Sequence, residues 1–335
     1  MSAVITVHPW STLTLRLVAL VLMSPMLLLV AAIWGGFSRP SLVLVLEGFQ
    51  MVLLAPAWAI LIACLIRREW FIAFVAAVIA LSHLAFCLPA ATSDSVPPWA
   101  PQSPVVTLFV SNVLYDNPSD QTVADTVASA DADIIILNEA TPALVEELKA
   151  AGIYERYPTQ VFAEARPFGE LLLTRLEATD ARVDNLGGMR SPSVTVTIGE
   201  QPVRVHAVHV NAPKAHTQRH VWRRQLDAIG STVEQRDGLP MIIAGDFNSA
   251  PWHGPFRDLL DRGLTDSHDA LGKGLSRSWT PRWPVLGAFG PIMRIDHAAY
   301  TDGLAARSVR DQTMPGSDHR AFTVAIAVRQ PDARP

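Results

Sequence analysis

Three apolar runs crowd the first ninety residues, and no other feature constrains the fold as strongly. They cover Leu13–Trp34, Ser41–Ile66 and Trp70–Leu88. A helix needs about 20 apolar residues to cross a hydrocarbon core of about 30 Å, and each run reaches that length. A cleaved leader would show one short run behind a basic start. Three runs in succession instead predict a three-span anchor over residues 1–89. The chain as a whole is 50% hydrophobic and only 17% charged, and these runs hold the excess.

Basic residues prefer the cytoplasmic side of a membrane. Arg16 opens the first run, Arg67 and Arg68 separate the second from the third, and Pro89–Val105 has neither Lys nor Arg. The expectation is a multi-pass protein of the cell (inner or plasma) membrane. Its N-terminus and the Arg67–Arg68 turn are inside and everything after the third run is outside. Arg39, in the first outer loop, votes against. Cys64 and Cys87 both fall within apolar runs, so cysteine usage does not discriminate between compartments.

Segment Ala90–Pro104 (AATSDSVPPWAPQSP) is rich in Pro, Ser and Ala and reads as an extended linker. The remainder, residues 105–330, is long enough for one large domain with its own core. Of 27 Lys+Arg, four precede Val105 and 23 remain; of 31 Asp+Glu, three precede it and 28 remain. The region is therefore near −5. Nonspecific grip on nucleic acid usually takes a basic surface, so that partner class is disfavoured. No protein partner can be inferred.

Within the large region, short β-branched runs alternate with helical patterns. Strands are expected at Val105–Val110, Asp133–Leu137, Leu171–Thr174, Val194–Ile198, Val203–Val210, Met241–Ala244, Ala298–Tyr300 and Ala321–Val328. Helices are expected at Val123–Ala130, Pro142–Ala151, His216–Gln235 and Pro255–Arg262, where apolar residues recur three and four apart. Two packed sheets with helices outside is the architecture this order suggests.

Polar residues recur at the ends of these strands: Asn112, Glu139, His209, then Asp246 and Asn248, then Asp296, then Asp318 and His319. Each alone reads more simply as a turn residue or a satisfied core histidine. Their repetition at strand ends favours a site. Asn112 and Glu139 offer the hard oxygens that suit Mg²⁺, and zinc is disfavoured for want of a Cys or His cluster. Asp246 and Asn248 could orient a water and hold a phosphate oxygen. His209 and His319 could donate to charge developing on phosphorus, with Asp296 keeping His319 protonated.

The series SNVLYDN, ILNEAT, AVHVNAP, AGDFNSAP, RIDHAAY and GSDHRAF resembles the endonuclease/exonuclease/phosphatase superfamily. That group includes deoxyribonuclease I, apurinic endonucleases, inositol-polyphosphate phosphatases and neutral sphingomyelinases. The resemblance implies a four-layer α-β-β-α sandwich of the deoxyribonuclease I type, here preceded by three transmembrane helices. It also implies Mg²⁺-dependent hydrolysis of a phosphoester or phosphoanhydride, with Mn²⁺ as an alternative ion. By the same resemblance Asn112, Glu139 and Asp318 form the metal set. Asp246 handles the attacking water, Asn248 and His209 contact phosphate, and Asp296 orients His319. One departure stands out: Glu170 occupies a position where many members carry Asn, with pairing to His209 as one reading and substrate rejection as another.

The three spans together with SWTPRWP ahead of RIDH look like a bacterial membrane-anchored branch linked to teicoplanin resistance (VanJ-type). Loop packing explains Trp279 and Trp283 equally well. The expected substrate is a lipid-linked phosphate on the outer membrane face. The rivals are an extracytoplasmic nuclease and a catalytically inactive binding domain.

Overall fold

The computed structural model describes residues 12–37, 41–165 and 167–331; Arg39 lies outside them. The chain divides into two units, Met1–Leu88 and Pro89–Pro335.

The first unit is helical: α1 (Thr12–Trp34), α2 (Ser41–Gly48), α3 (Gln50–Leu54), α4 (Pro56–Arg67) and most of α5 (Trp70–Ala91). Among the described residues, three segments are long and apolar enough to cross a membrane: Arg16–Trp34, Gln50–Arg67 and Trp70–Ala91. The second run is thus not one straight helix from Ser41. It breaks at Phe49 and again at Ala55, where Pro56 starts α4 at a position that needs no N–H partner. Arg16 pairs with Glu69 at 2.8 Å, so the start of α1 and the α4–α5 turn share one end of the bundle.

Segment Ala90–Pro104, expected as an extended linker, is instead bound along the larger unit. Ser93 bridges to Leu271, and Asp94 N–H donates to Ala270 O at 2.9 Å. A short 3-10 turn, Ala100–Gln102, buries Ala100 against Ala305 and Ala327. Pro and Ser content marks a segment without regular ladders; it does not say what the segment packs on.

Twelve strands follow, with helices between them: β1 (Val105–Asn112), α6 (Asp120–Ser129), β2 (Ile134–Ala140), α7 (Pro142–Ala150), α8 (Ile153–Arg156), β3 (Thr159–Ala163), β4 (Gly169–Thr174), β5 (Ala178–Leu186), β6 (Met189–Ile198), β7 (Gln201–His209), α9 (His216–Glu234), β8 (Met241–Asp246), α10 (Gly254–Leu260), β9 (Thr265–Asp266), α11 (Ser267–Ala270), α12 (Pro284–Gly287), β10 (Asp296–Tyr300), β11 (Leu304–Thr313) and β12 (Arg320–Val328). They form two six-stranded sheets, ordered β11-β12-β1-β2-β4-β3 and β5-β6-β7-β8-β10-β9.

Side-chain alternation builds the layers. Val106, Leu108 and Val110 of β1 and Ile134 and Ile136 of β2 face Val205, Ala207, Ile242 and Ala244 in the core between the sheets. The intervening residues Phe109, Ile135 and Leu137 face outward against Val123, Val127, Leu144 and Leu148 of α6 and α7. Strands covered on both faces read as continuous apolar runs, and β4 and β8 are buried throughout. Helix α9 buries Trp222, Leu226, Ile229 and Val233, a stripe spaced four, three and four residues apart. The result is the expected four-layer α-β-β-α sandwich.

One parallel pair in each sheet positions the site. β1 pairs in parallel with β2, and β7 with β8. The antiparallel partners β4, β10 and β12 start where those pairs end, with Leu137 opposite Leu171, Asp246 opposite Asp296 and Val110 opposite Phe322. Ligands collect at the carboxyl ends of parallel strands because the backbone there leaves a crevice.

Candidate active site

That crevice is a cleft of about 610 Å³ lined by Glu139, His209, Asp246, Asn248, Asp318 and His319 together with Tyr115, Phe168, Glu170, Trp279, Arg190, Lys214 and Arg282. Of the residues expected from sequence, Asn112 and Asp296 stand behind its wall, fully buried. All eight meet at this one end of the sandwich.

Asp246 lies at the centre. Its Oδ1 accepts from Asn248 N–H at 2.7 Å and its Oδ2 from Asn112 Nδ2 at 3.1 Å. The glycine before it is obligatory: Gly245 has φ +141, and a methyl group there would run into the Val208 carbonyl of β7. Asn248 itself is left-handed, φ 47, and its Nδ2 donates to Val210 O at 2.9 Å. Glu139, φ 60, and Leu114, φ 63, are also left-handed. Three non-glycine residues held this way around one cleft mark backbone strain localised at the site.

Two histidine–carboxylate pairs flank Asp246. His209 Nδ1 donates to Glu170 Oε1 at 2.9 Å, and His319 Nδ1 donates to Asp296 Oδ2 at 2.9 Å. Their free Nε2 atoms lie 3.8 and 3.9 Å from Asp246 Oδ2. Burial disfavours the imidazolium, but Glu170, Asp246 and Glu139 outweigh it and hold His209 up at about 10. Burial likewise opposes charge on His319, and Asp296, Asp246 and Asp318 lift it to about 9. Burial and then the neighbouring Asp296 push Asp246 up to about 6. Glu170, the departure noted in the sequence, thus pairs with His209.

Sequence reading missed two residues here. Asn138 is fully buried and ties three strands together: its Nδ2 donates to Glu170 Oε2 (2.6 Å) and Val208 O (2.9 Å), and its Oδ1 accepts from Asp246 N–H (2.9 Å). Ser278 donates to Asp296 Oδ2 at 2.6 Å. An Asn ending the apolar run DIIIL was the available signal for the first; nothing in RSWTP singles out the second.

A hard cation fits the donor set. Asp318 Oδ1 is buried with no hydrogen-bond partner, and burial, with Glu139 nearby, raises the Asp318 carboxyl. An orphaned carboxylate oxygen is costly unless a cation or donor meets it, and oxygen donors suit Mg²⁺. Asn112, expected in the metal set, turns its Oδ1 to Leu114 N–H (3.0 Å) and its Nδ2 to Glu139 Oε1 (3.0 Å). It fixes Glu139 relative to Asp246. A second cluster, Asp246, Asp296 and His319, has ligand atoms within 4.8 Å of one another. Asp296 Oδ1 there is likewise buried without a hydrogen-bond partner, so oxygen donors for a cation stand on both sides of Asp246.

The Endonuclease/Exonuclease/phosphatase family model matches residues 110–319, more than half of the chain, and the protein belongs to that family. Among solved structures, the chain is similar to a humanized TDP2 of D. rerio carrying 14 mutations: TM-score 0.58 at 16% identity, over 67% of this chain and 99% of that one. It is also similar to the 3′ phosphatase NExo from Neisseria bound to a product DNA hairpin: TM-score 0.52 at 18% identity, over 65% and 98%. A family protein from Leptotrichia buccalis matches with TM-score 0.51 at 15% identity, over 65% and 98%. At these identities the likeness establishes the fold. No curated protein matches the chain by sequence. The family consists of phosphoester hydrolases.

Proposed function

We propose that the protein is a membrane-anchored, Mg²⁺-dependent phosphoesterase acting on a lipid-linked phosphate at the outer face of the cell membrane. The observation that carries this reading is two carboxylate-paired histidines converging on one buried aspartate, in a chain that also has three segments, among the described residues, long and apolar enough to cross a membrane.

The groups divide the work by position. Asp246, ionised above about pH 6, orients a water and takes its proton. His209 and His319 donate from Nε2 to the non-bridging oxygens as negative charge builds on phosphorus, a fixed arrangement that needs no reorganisation. Glu170 and Asp296 orient the two rings and favour their protonated form. Mg²⁺, held by Glu139 and Asp318, would supply charge neutralisation to the phosphate. Among the described residues lining the cleft there is no Ser, Thr or Cys, and direct displacement by water is the reaction class proposed.

Substrate class follows from confinement and charge. A lipid substrate shares the enzyme's two-dimensional surface, which raises its effective concentration. A polynucleotide gains nothing from this, and the larger region carries net negative charge. A polyprenyl pyrophosphate is favoured over a phospholipid. Orientation rests on Arg16 and Arg67–Arg68 lying at one end of the helical unit. Alkaline phosphatase fused after Pro104 is expected to be active, and a fluorescent protein fused there dark.

The deciding experiment compares phosphate release from polyprenyl pyrophosphate in mixed micelles with nicking of supercoiled DNA, at equal enzyme and Mg²⁺. Phosphate release without nicking is expected. Rapid nicking without phosphate release would replace this reading with a nuclease, and neither activity would leave a binding domain.

A further inference from the structure

The most exposed large apolar side chains of the second unit, among the described residues, are Trp283 (67%), Val285 (75%) and Phe289 (75%). They lie within seven residues, in the uncharged run WPVLGAFGP around α12. Single exposed apolar residues need no explanation, but a contiguous run does.

The base of this loop is built into the catalytic end. Trp279 pairs with both Met293 and His319. Thr280 N–H donates to Asp318 O at 2.8 Å, and Arg320 N–H donates to Ser278 O at 2.7 Å. Arg282 forks onto Asp116 at 3.1 Å, while Trp279 and Arg282 both line the cleft. The exposed tip therefore projects from a rigid base at the mouth of the site.

We propose that Trp283, Val285 and Phe289 insert into the lipid–water interface and seat the cleft mouth on the bilayer, so that a phosphate head group enters without leaving its leaflet. Three features select lipid as the occupant. The chain carries segments long and apolar enough to cross a membrane, which would keep a bilayer at hand. The tip is apolar and aromatic with Arg282 at its edge, a composition suited to the headgroup boundary. Its position beside His319 and Asp318 gives insertion a consequence for substrate access. The substrate-access part rests on the phosphoesterase reading above; the insertion does not.

The test uses the full chain in vesicles of phosphatidylethanolamine and phosphatidylglycerol, with Cys64→Ala and Cys87→Ala. An environment-sensitive fluorophore is attached at Val285→Cys or, as a control, at Val183→Cys on strand β5. We expect shallow spin-labelled lipid to quench the label at 285 and leave that at 183 unaffected. A label at 285 that is as aqueous as the control, or shielded yet unquenched as against a protein partner, overturns the proposal. The variant Trp283→Ser/Val285→Ser/Phe289→Ser should lose roughly tenfold or more of its turnover on vesicle-borne polyprenyl pyrophosphate, as loss of a second attachment would cause. Its hydrolysis of soluble bis-p-nitrophenyl phosphate should be unchanged. Equal loss on both substrates overturns the access role. If the unmodified chain turns over neither substrate, the phosphoesterase reading fails while the quenching result still decides insertion.

Discussion

Two imidazoles approach the same oxygen of Asp246 from opposite sheets, and they differ in what stands around them. His209 ends β7 of one sheet and is held by Glu170 of the other; His319 precedes β12 and is held by Asp296 across the same gap. Behind His319 everything is sealed: Asp296 is 1% exposed and takes a further hydrogen bond from Ser278. His209 is the outer member. Its ring packs against Phe168, which stacks on the exposed Tyr115. One pair is buried like a reaction centre and the other borders the open part of the cleft. In the proposed reaction both rings donate from Nε2, and the difference in burial predicts that the inner ring weighs more on the transition state and the outer ring more on substrate binding.

The aspartate common to both pairs is where the largest effect is expected. Asp246→Asn keeps the size and the Asn112 and Asn248 neighbours but removes the base. Positioned general bases contribute about 10²–10⁴-fold, so kcat on bis-p-nitrophenyl phosphate should fall by that range. A loss under tenfold would make Asp246 a structural residue and leave the two histidines without a shared target. Chelation of divalent cations should abolish turnover to a similar extent, with Mg²⁺ restoring it.

The next effect separates the two histidines. His319→Ala should act mainly on kcat, because its donor meets charge that exists only in the transition state. His209→Ala should raise KM more than His319→Ala does, because it lies beside the aromatic side of the cleft. Steady-state kinetics of both variants on one substrate measures the split. Identical profiles would mean that exposure does not divide the roles.

Much of this site was legible from sequence because each functional group sits at or near a strand terminus. Asn112, Glu139, His209 and Asp246 close parallel strands, so each appears as a polar residue after an apolar run, and the topology gathers such ends together. What was not legible depends on contacts across the sandwich. Asn138 looks like the last residue of a buried strand, and only the facing sheet reveals that it braces Glu170 and Asp246. Strands β5 and β11 escaped notice because charge hides their period. β5 is an edge strand carrying Asp180, Arg182 and Asp184, the charges that discourage edge pairing. The docked segment Ala90–Pro104 was missed because its partners, Ala270, Leu271, Ala305 and Ala327, are distant in sequence.

The smallest effects concern pH and set the pairs apart most sharply. Turnover requires Asp246 ionised and both imidazoles protonated. The profile should therefore rise through about pH 6 and fall through the lower of the two histidine values, which is His319 at about 9. Asp296 supports charge on His319 and opposes it on Asp246. Asp296→Asn therefore lowers the pKa of both, and both limbs of the profile should move to lower pH. Glu170→Gln lowers only His209, which starts higher, at about 10. Part of that drop is silent until His209 falls below His319, so the alkaline limb should move less and the acid limb should stay. The measurement is kcat/KM against pH with Mg²⁺ saturating at every point. An alkaline limb that moves further in Glu170→Gln than in Asp296→Asn would reverse the assignment, making the outer pair the one that limits catalysis.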